Sequence, residues 1–190
     1  MHLKKITLNN FRSFKHLEIE LHPRITVLVG ENGAGKTTIL DGIATALSQM
    51  LTYLSSANQR LSGRGIEDTD FRIEEFEIRG KKRWKLADYA QVMAETTDGL
   101  QWDYWKPSAS TGAAPEIKYG LSALKKHIVS IYESYNTDNP ALTPVFAYYG
   151  TRRGDIDVPE CLRESKENYN FPYIGIDWSP RLQKRFQRVP

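Results

Sequence analysis

The residues best equipped for chemistry lie side by side around position 30. Gly30, Glu31, Asn32, Gly33, Ala34, Gly35, Lys36 and Thr37 run consecutively and satisfy the spacing G-x-x-x-x-G-K-[ST] of a phosphate-binding loop. Glycines let successive backbone N–H groups turn inward around an anion, and a helix beginning at the end of such a loop adds the positive end of its dipole. Lys36 supplies a cation for β- and γ-phosphates, the Thr37 hydroxyl a ligand for Mg²⁺, and Thr38 falls close to the α-phosphate. The ligand these residue types imply is ATP with Mg²⁺.

Such a loop works only between a strand and a helix, and both flanks fit. Residues 25–29, Ile-Thr-Val-Leu-Val, are continuously apolar, as expected of a parallel strand buried on both faces of a sheet. From Lys36 the apolar residues Leu40, Ile43, Leu47, Met50 and Leu51 recur at helical spacing, which predicts one long helix. Upstream, Leu3, Ile6 and Leu8, then Leu17, Ile19 and Leu21, predict two strands joined through residues 9–15. Downstream, residues 55–65 are polar and glycine-bearing and predict a loop. Residues 71–79 and 88–96 predict strands, the second meeting Leu100–Trp105 across Asp98-Gly99, a dipeptide suited to a type I′ hairpin. Together they predict an antiparallel meander. Residues 106–115 predict a surface loop, Leu121, Leu124, Ile128, Ile131 and Tyr135 a helix, and residues 144–149 a second buried parallel strand.

Composition bounds the rest. At 190 residues, 40% apolar and 26% charged, the chain has the makeup of one globular domain, which excludes disordered and fibrous classes. The net charge of +3 comes from interspersed acids and bases, permitting a nucleic-acid partner without arguing for one. Cys161 is the single cysteine, so neither an internal disulfide nor a cysteine metal cluster is available. No apolar run approaches the roughly 18 residues of a membrane helix, and the expected compartment is the cytoplasm. Lys81, Lys82, Arg83 and Lys85 surround Trp84; the cluster either touches a phosphate backbone or is the solvated flank of a hairpin turn. Glu74, Glu75 and Glu77 read as a solvated strand face.

The string Gly30–Thr38, preceded by Asn9-Asn10-Phe11-Arg12-Ser13-Phe14, resembles the ABC-type ATPases of the SMC, RecF and OLD class. There a first strand, an F-R-S-F turn and a G-x-N-G-x-G-K-[ST] loop follow in this order. The resemblance implies an α/β P-loop NTPase fold, as an ABC-ATPase-like N-terminal lobe with a mixed sheet, an antiparallel β meander and flanking helices. It places the turn beside the nucleotide. Arg12 and Ser13 thereby become candidates for contacts with phosphates or adenine, the alternative for Arg12 being a cap of the turn in solvent; Phe11 and Phe14 read as core. Residues 144–153, carried by Tyr148, Tyr149 and Arg152, look like the strand and turn of ATPases associated with Septu-type and retron defence. Arg152 or Arg153 would then face phosphate or a partner subunit, or end the strand in solvent.

What the class implies for function is an ATP-binding lobe whose complete protein hydrolyses ATP between two heads, so a second head, as in a homodimer, is the expected partner. DNA is the expected polymer, in double-strand-break repair or in anti-phage defence with a nuclease partner. A complete head also carries an LSGG-type signature loop, an hhhhDE strand and a His switch. None is plainly present. The nearest imitation of hhhhDE is Tyr173–Asp177, with Trp178 at the catalytic position. The chain is therefore expected to bind ATP and turn it over poorly. A P-loop kinase or GTPase is the competing class, though no acceptor lid or N-K-x-D motif is found; a nucleotide-binding remnant with an unpaired sheet edge is another.

Residues 1–172 are read as this lobe and residues 173–190 as an irregular tail. After Pro172 the helical and strand periods lapse. A one-base shift in a back-translation from codon 173 can read TSALIGALDSKSDFKEC, which resembles the helical continuation of related defence ATPases. A frameshift near that codon is the expectation, and the gene sequence tests it.

Overall fold

The computed structural model describes residues 1–54, 64–109, 112–135, 137 and 139–150. Strands β1 (Leu3–Phe11) and β2 (Phe14–Glu20) form a hairpin whose ladder closes on Phe11↔Phe14. Helix α1 (Lys36–Leu54) follows the glycine loop. A short turn of 3-10 helix, Asp68–Asp70, precedes β3 (Ile73–Ile78) and β4 (Lys81–Leu86). Then come β5 (Tyr89–Thr96), β6 (Gln101–Pro107) and α2 (Ser122–Ser134). The main sheet has the order β2-β1-β5-β6, while β3 and β4 form a separate two-stranded sheet. Every ladder described is antiparallel.

Register explains the core. Ile19, Ile6, Ala94 and Trp102 stand in one row across the four strands, and Leu17, Leu8, Val92 and Tyr104 in the next. Successive side chains in a strand alternate between faces, so these rows share one face, and both helices pack on it. Leu8 lies so close to α1 that a Cβ at Gly42 would stand 2.5 Å from its Cδ2. The fully buried Trp102 donates its indole N–H to the Ala46 carbonyl at 3.0 Å. On α2, Leu124, Ile128 and Ile131 are buried, at the spacing of one helical face. On the opposite face of the sheet a buried polar chain runs from Asn9 through Gln91 to Asp103, which also accepts the backbone N–H groups of Tyr119 and Gly120.

Several expectations need correction. Residues 25–29 belong to no ladder, and Ile25, Val27 and Val29 are exposed. Residues 144–149 likewise form no strand, with Val145 and Tyr149 exposed. A strand buried on both faces needs neighbours along both edges, and no described residue supplies them; apolar composition signals a capacity for burial, not a partner. The expected meander is divided, because β5 pairs with β1 rather than with β3, a long-range choice that local patterns do not encode. Lys81, Lys82, Arg83 and Lys85 do flank a hairpin turn, as exposed residues of strand β4 paired with β3. The β5–β6 hairpin exists, but of Asp98 and Gly99 only Gly99 has positive φ. Gly99 N–H closes on Thr96 O at 3.1 Å, so the longer loop, Thr97–Leu100, needs one left-handed residue where type I′ needs two. Leu40, part of the helical spacing that predicts α1, is exposed, whereas the polar Thr45 and Ser48 of the same helix are buried.

Candidate phosphate site and its arginine–aspartate network

The loop and the β1–β2 turn meet at a glycine. Gly35 has φ of +87°, and a Cβ added there would lie 2.5 Å from Phe14 Cζ. Only glycine fits both the left-handed backbone and the aromatic ring against it. Phe14 is partly buried against the core, so the phenylalanine that closes the β1–β2 hairpin also seats the loop. Gly33 has φ of +86°, with open space where a Cβ would be.

Lys36 Nζ donates to the carbonyls of Gly30 and Glu31, both at 2.6 Å. The ammonium thus spans the mouth of the loop, held by oxygen acceptors of the kind a phosphate would offer. α1 begins at Lys36 and its next residue, Thr37, is exposed while Thr38 is buried. Thr37 therefore presents a hydroxyl at a helix start, where an anion is favoured. No group of three or more His, Cys, Asp or Glu able to hold a metal occurs among the described residues. The donor set fits Mg²⁺ held by Thr37 together with phosphate oxygens, in the manner of a P-loop. Bound there, Mg²⁺ would neutralise charge on the transferring phosphoryl group.

Arg12, at the tip of the turn with φ of +49°, reaches sideways to two carboxylates. Its Nη1 donates to Asp41 Oδ2 at 2.6 Å and its Nε to Asp70 Oδ1 at 2.8 Å. Arg64 mirrors it, with Nη1 3.0 Å from Asp41 and Nη2 3.2 Å from Asp70. Tyr148 donates its hydroxyl to the other oxygen of Asp41. Backbone bonds fix the frame: Arg12 N–H to Asp70 O at 2.7 Å and Arg72 N–H to Asn10 O at 3.0 Å. Two arginines and two aspartates, Asp70 fully buried, thus balance in charge, as buried ions must.

Protonation follows from that geometry. Burial works to raise the Asp41 pKa, but hydrogen bonds from Tyr148 and Arg12 and the charges of Arg64 and Arg12 outweigh it and hold the carboxyl below its ordinary value. Burial opposes the Arg12 charge as well, and its bonds to Asp41 and Asp70 override that and raise it. Tyr148 is pushed up to about 12, first by burial and then by its bond to Asp41. Asp41 and Arg12 are therefore ionised, with the Tyr148 phenol intact, across the physiological range.

Gly30 to Thr38 and the Arg12-Ser13 turn are therefore brought together through the Phe14–Gly35 contact. Arg152, Arg153, Cys161, Asp177 and Trp178 lie outside the described residues. Sequence reasoning missed Asp41, Asp70 and Arg64; a carboxylate set among Ile39, Leu40 and Ile43 of an apolar helix was the available signal for the first.

A family model described as an AAA domain matches residues 5–174. The chain belongs to this AAA domain family. Within the family it is similar to the DNA double-strand break repair Rad50 ATPase of Saccharolobus solfataricus, with 45% identity over 34% of this chain and 7% of the relative. A DNA replication and repair protein RecF of Listeria monocytogenes is 46% identical over 48% of this chain and 21% of its own length. A probable ATPase of retron Ec83 from Escherichia coli is 26% identical over 85% of this chain and 29% of its own length. The chain thus spans less than a third of each of these relatives. Its AAA domain resembles the N-terminal lobe of SMC/RecF-like P-loop ATPases. No helix among the described residues is long and apolar enough to cross a membrane.

Proposed function

We propose that this AAA domain is the nucleotide-grasping lobe of an SMC/RecF/Rad50-type ATPase, binding ATP with Mg²⁺ to drive a DNA transaction in the cytoplasm. The observation that carries the proposal is Lys36, poised over the loop carbonyls while Phe14 seats Gly35. Backbone N–H groups of Gly30 to Gly35 take the β-phosphate, Lys36 the β- and γ-oxygens, Thr37 the metal and Thr38 the α-phosphate. Arg12 and Ser13, on the adjoining turn, approach the phosphates from the side. Residues 1–172 form the lobe.

Hydrolysis is assigned to the complete protein, with a second head closing over the nucleotide and supplying water-activating groups. Both settings named for the relatives, repair in Rad50 and RecF and a retron in the other, accord with DNA as the polymer, and in defence a nuclease would act beside the ATPase. The exposed apolar residues of 25–29 and 144–149 support a lobe that acts in a larger assembly.

Binding of ATP and Mg²⁺ by the 190-residue chain, measured by calorimetry with Lys36→Ala as control, tests this. Loss of the charge-assisted contact should weaken binding about 10- to 100-fold. Equal affinity in mutant and parent would overturn the site, and rapid turnover by this chain alone would overturn the assignment of water activation elsewhere.

A further inference from the structure

We propose that Asp41 is a positioning residue of the phosphate site, and that through Tyr148 it couples nucleotide occupancy to the order of residues 144–150. The inference rests on the nucleotide-binding function above and extends it to a segment outside the loop.

Asp41 follows Thr37 by four residues on α1, so the two lie on one side of the helix, about 6 Å apart along its axis. The carboxylate collects donors from three distant parts of the chain: Arg12 from the β1–β2 turn, Arg64 from the residues after α1, and Tyr148. Phosphate charge one turn away attracts the same arginines. As Arg12 divides itself between phosphate and Asp41, the acceptor capacity left for Tyr148 changes.

Residues 144–150 are built to register that change. They alternate, with Phe146 and Tyr148 half-buried and Val145, Ala147 and Tyr149 exposed, yet they belong to no described strand. Without a ladder, side-chain anchors on the inward face set how firmly the segment lies. Phe146 packs on the core, an anchor indifferent to charge, whereas Tyr148 is bound to a carboxylate that the phosphate site perturbs. Coupling of this kind is reciprocal: what nucleotide does to the segment, the anchor does to nucleotide affinity.

Hydrogen exchange of the 190-residue chain, with and without ATP and Mg²⁺, tests the coupling in the parent, Tyr148→Phe and Asp41→Asn. In the parent, ATP should slow exchange at 144–150 about 5-fold along with that at 30–38. Tyr148→Phe deletes one oxygen and keeps the ring, so circular dichroism should be unchanged. It should abolish the ATP-dependent part at 144–150, retain protection at 30–38, and weaken ATP binding about 5-fold. Asp41→Asn should do the same and also loosen residues 10–14. A purely structural role for Tyr148 would raise exchange at 144–150 equally with and without ATP, and that result would overturn the proposal. So would a parent protected by ATP at 30–38 and unaffected at 144–150. A parent with no ATP-dependent protection at 30–38 would remove the nucleotide site itself, and the coupling with it.

Discussion

Two apolar regions of this chain met opposite fates. In the main sheet, Ile6, Leu8, Val92 and Trp102 align across strands and disappear beneath α1 and α2. In residues 25–29 and 144–149, equally apolar side chains stay in the open: Val27 is 71% exposed and Val145 79%. Local hydrophobicity is similar; what differs is the supply of hydrogen-bonding neighbours. β1 finds partners on both edges, in β2 and β5, whereas no described strand flanks either segment. Burial of an extended chain is a property of its neighbours as much as of its own side chains.

The largest way to break that contrast is at Trp102. Trp102→Ala removes a fully buried indole and its bond to the Ala46 carbonyl, and should cost about 3–5 kcal/mol by urea denaturation. A cost below about 1 kcal/mol would mean that the packed rows do not hold the lobe together. Gly35→Ala should come next, at about 1–3 kcal/mol, from a side chain forced into left-handed backbone and pressed on Phe14. A neutral Gly35→Ala would detach the loop from the β1–β2 turn and leave the site without its seat.

Much of this was legible in the sequence, and the failures have two causes. The glycine loop, α1, α2 and the first hairpin each announce themselves within a few residues, because helical period, strand period and loop chemistry are local. Invisible were relations between distant residues: β5 joining β1, the separation of β3 and β4, and the convergence of Arg12, Arg64 and Tyr148 on Asp41. Tyr148 drew notice only through its family resemblance, since a phenol within an apolar run says nothing of the carboxylate 107 residues away. The two misassigned strands err differently. Their composition was read correctly as fit for burial, and the inference failed at the unstated premise that partners lie within the described chain.

The smallest and sharpest test makes one substitution in both regions. Val92 is completely buried in β5 between Leu8 and Tyr104, while Val27 is exposed. Threonine matches valine in shape and adds a hydroxyl, so only the surroundings differ. Val92→Thr buries that hydroxyl among apolar neighbours and should cost about 1–2 kcal/mol. Val27→Thr leaves it in water and should change stability by less than about 0.5 kcal/mol. Equal costs would show that residues 25–29 are covered in solution. Repeating both at tenfold lower protein concentration locates the cover: a Val27→Thr cost that fades on dilution means association between chains, and one that persists means burial within a single chain. Only a near-neutral Val27→Thr beside a costly Val92→Thr leaves the contrast as drawn, with identical side chains valued by whether a neighbouring strand is there to meet them.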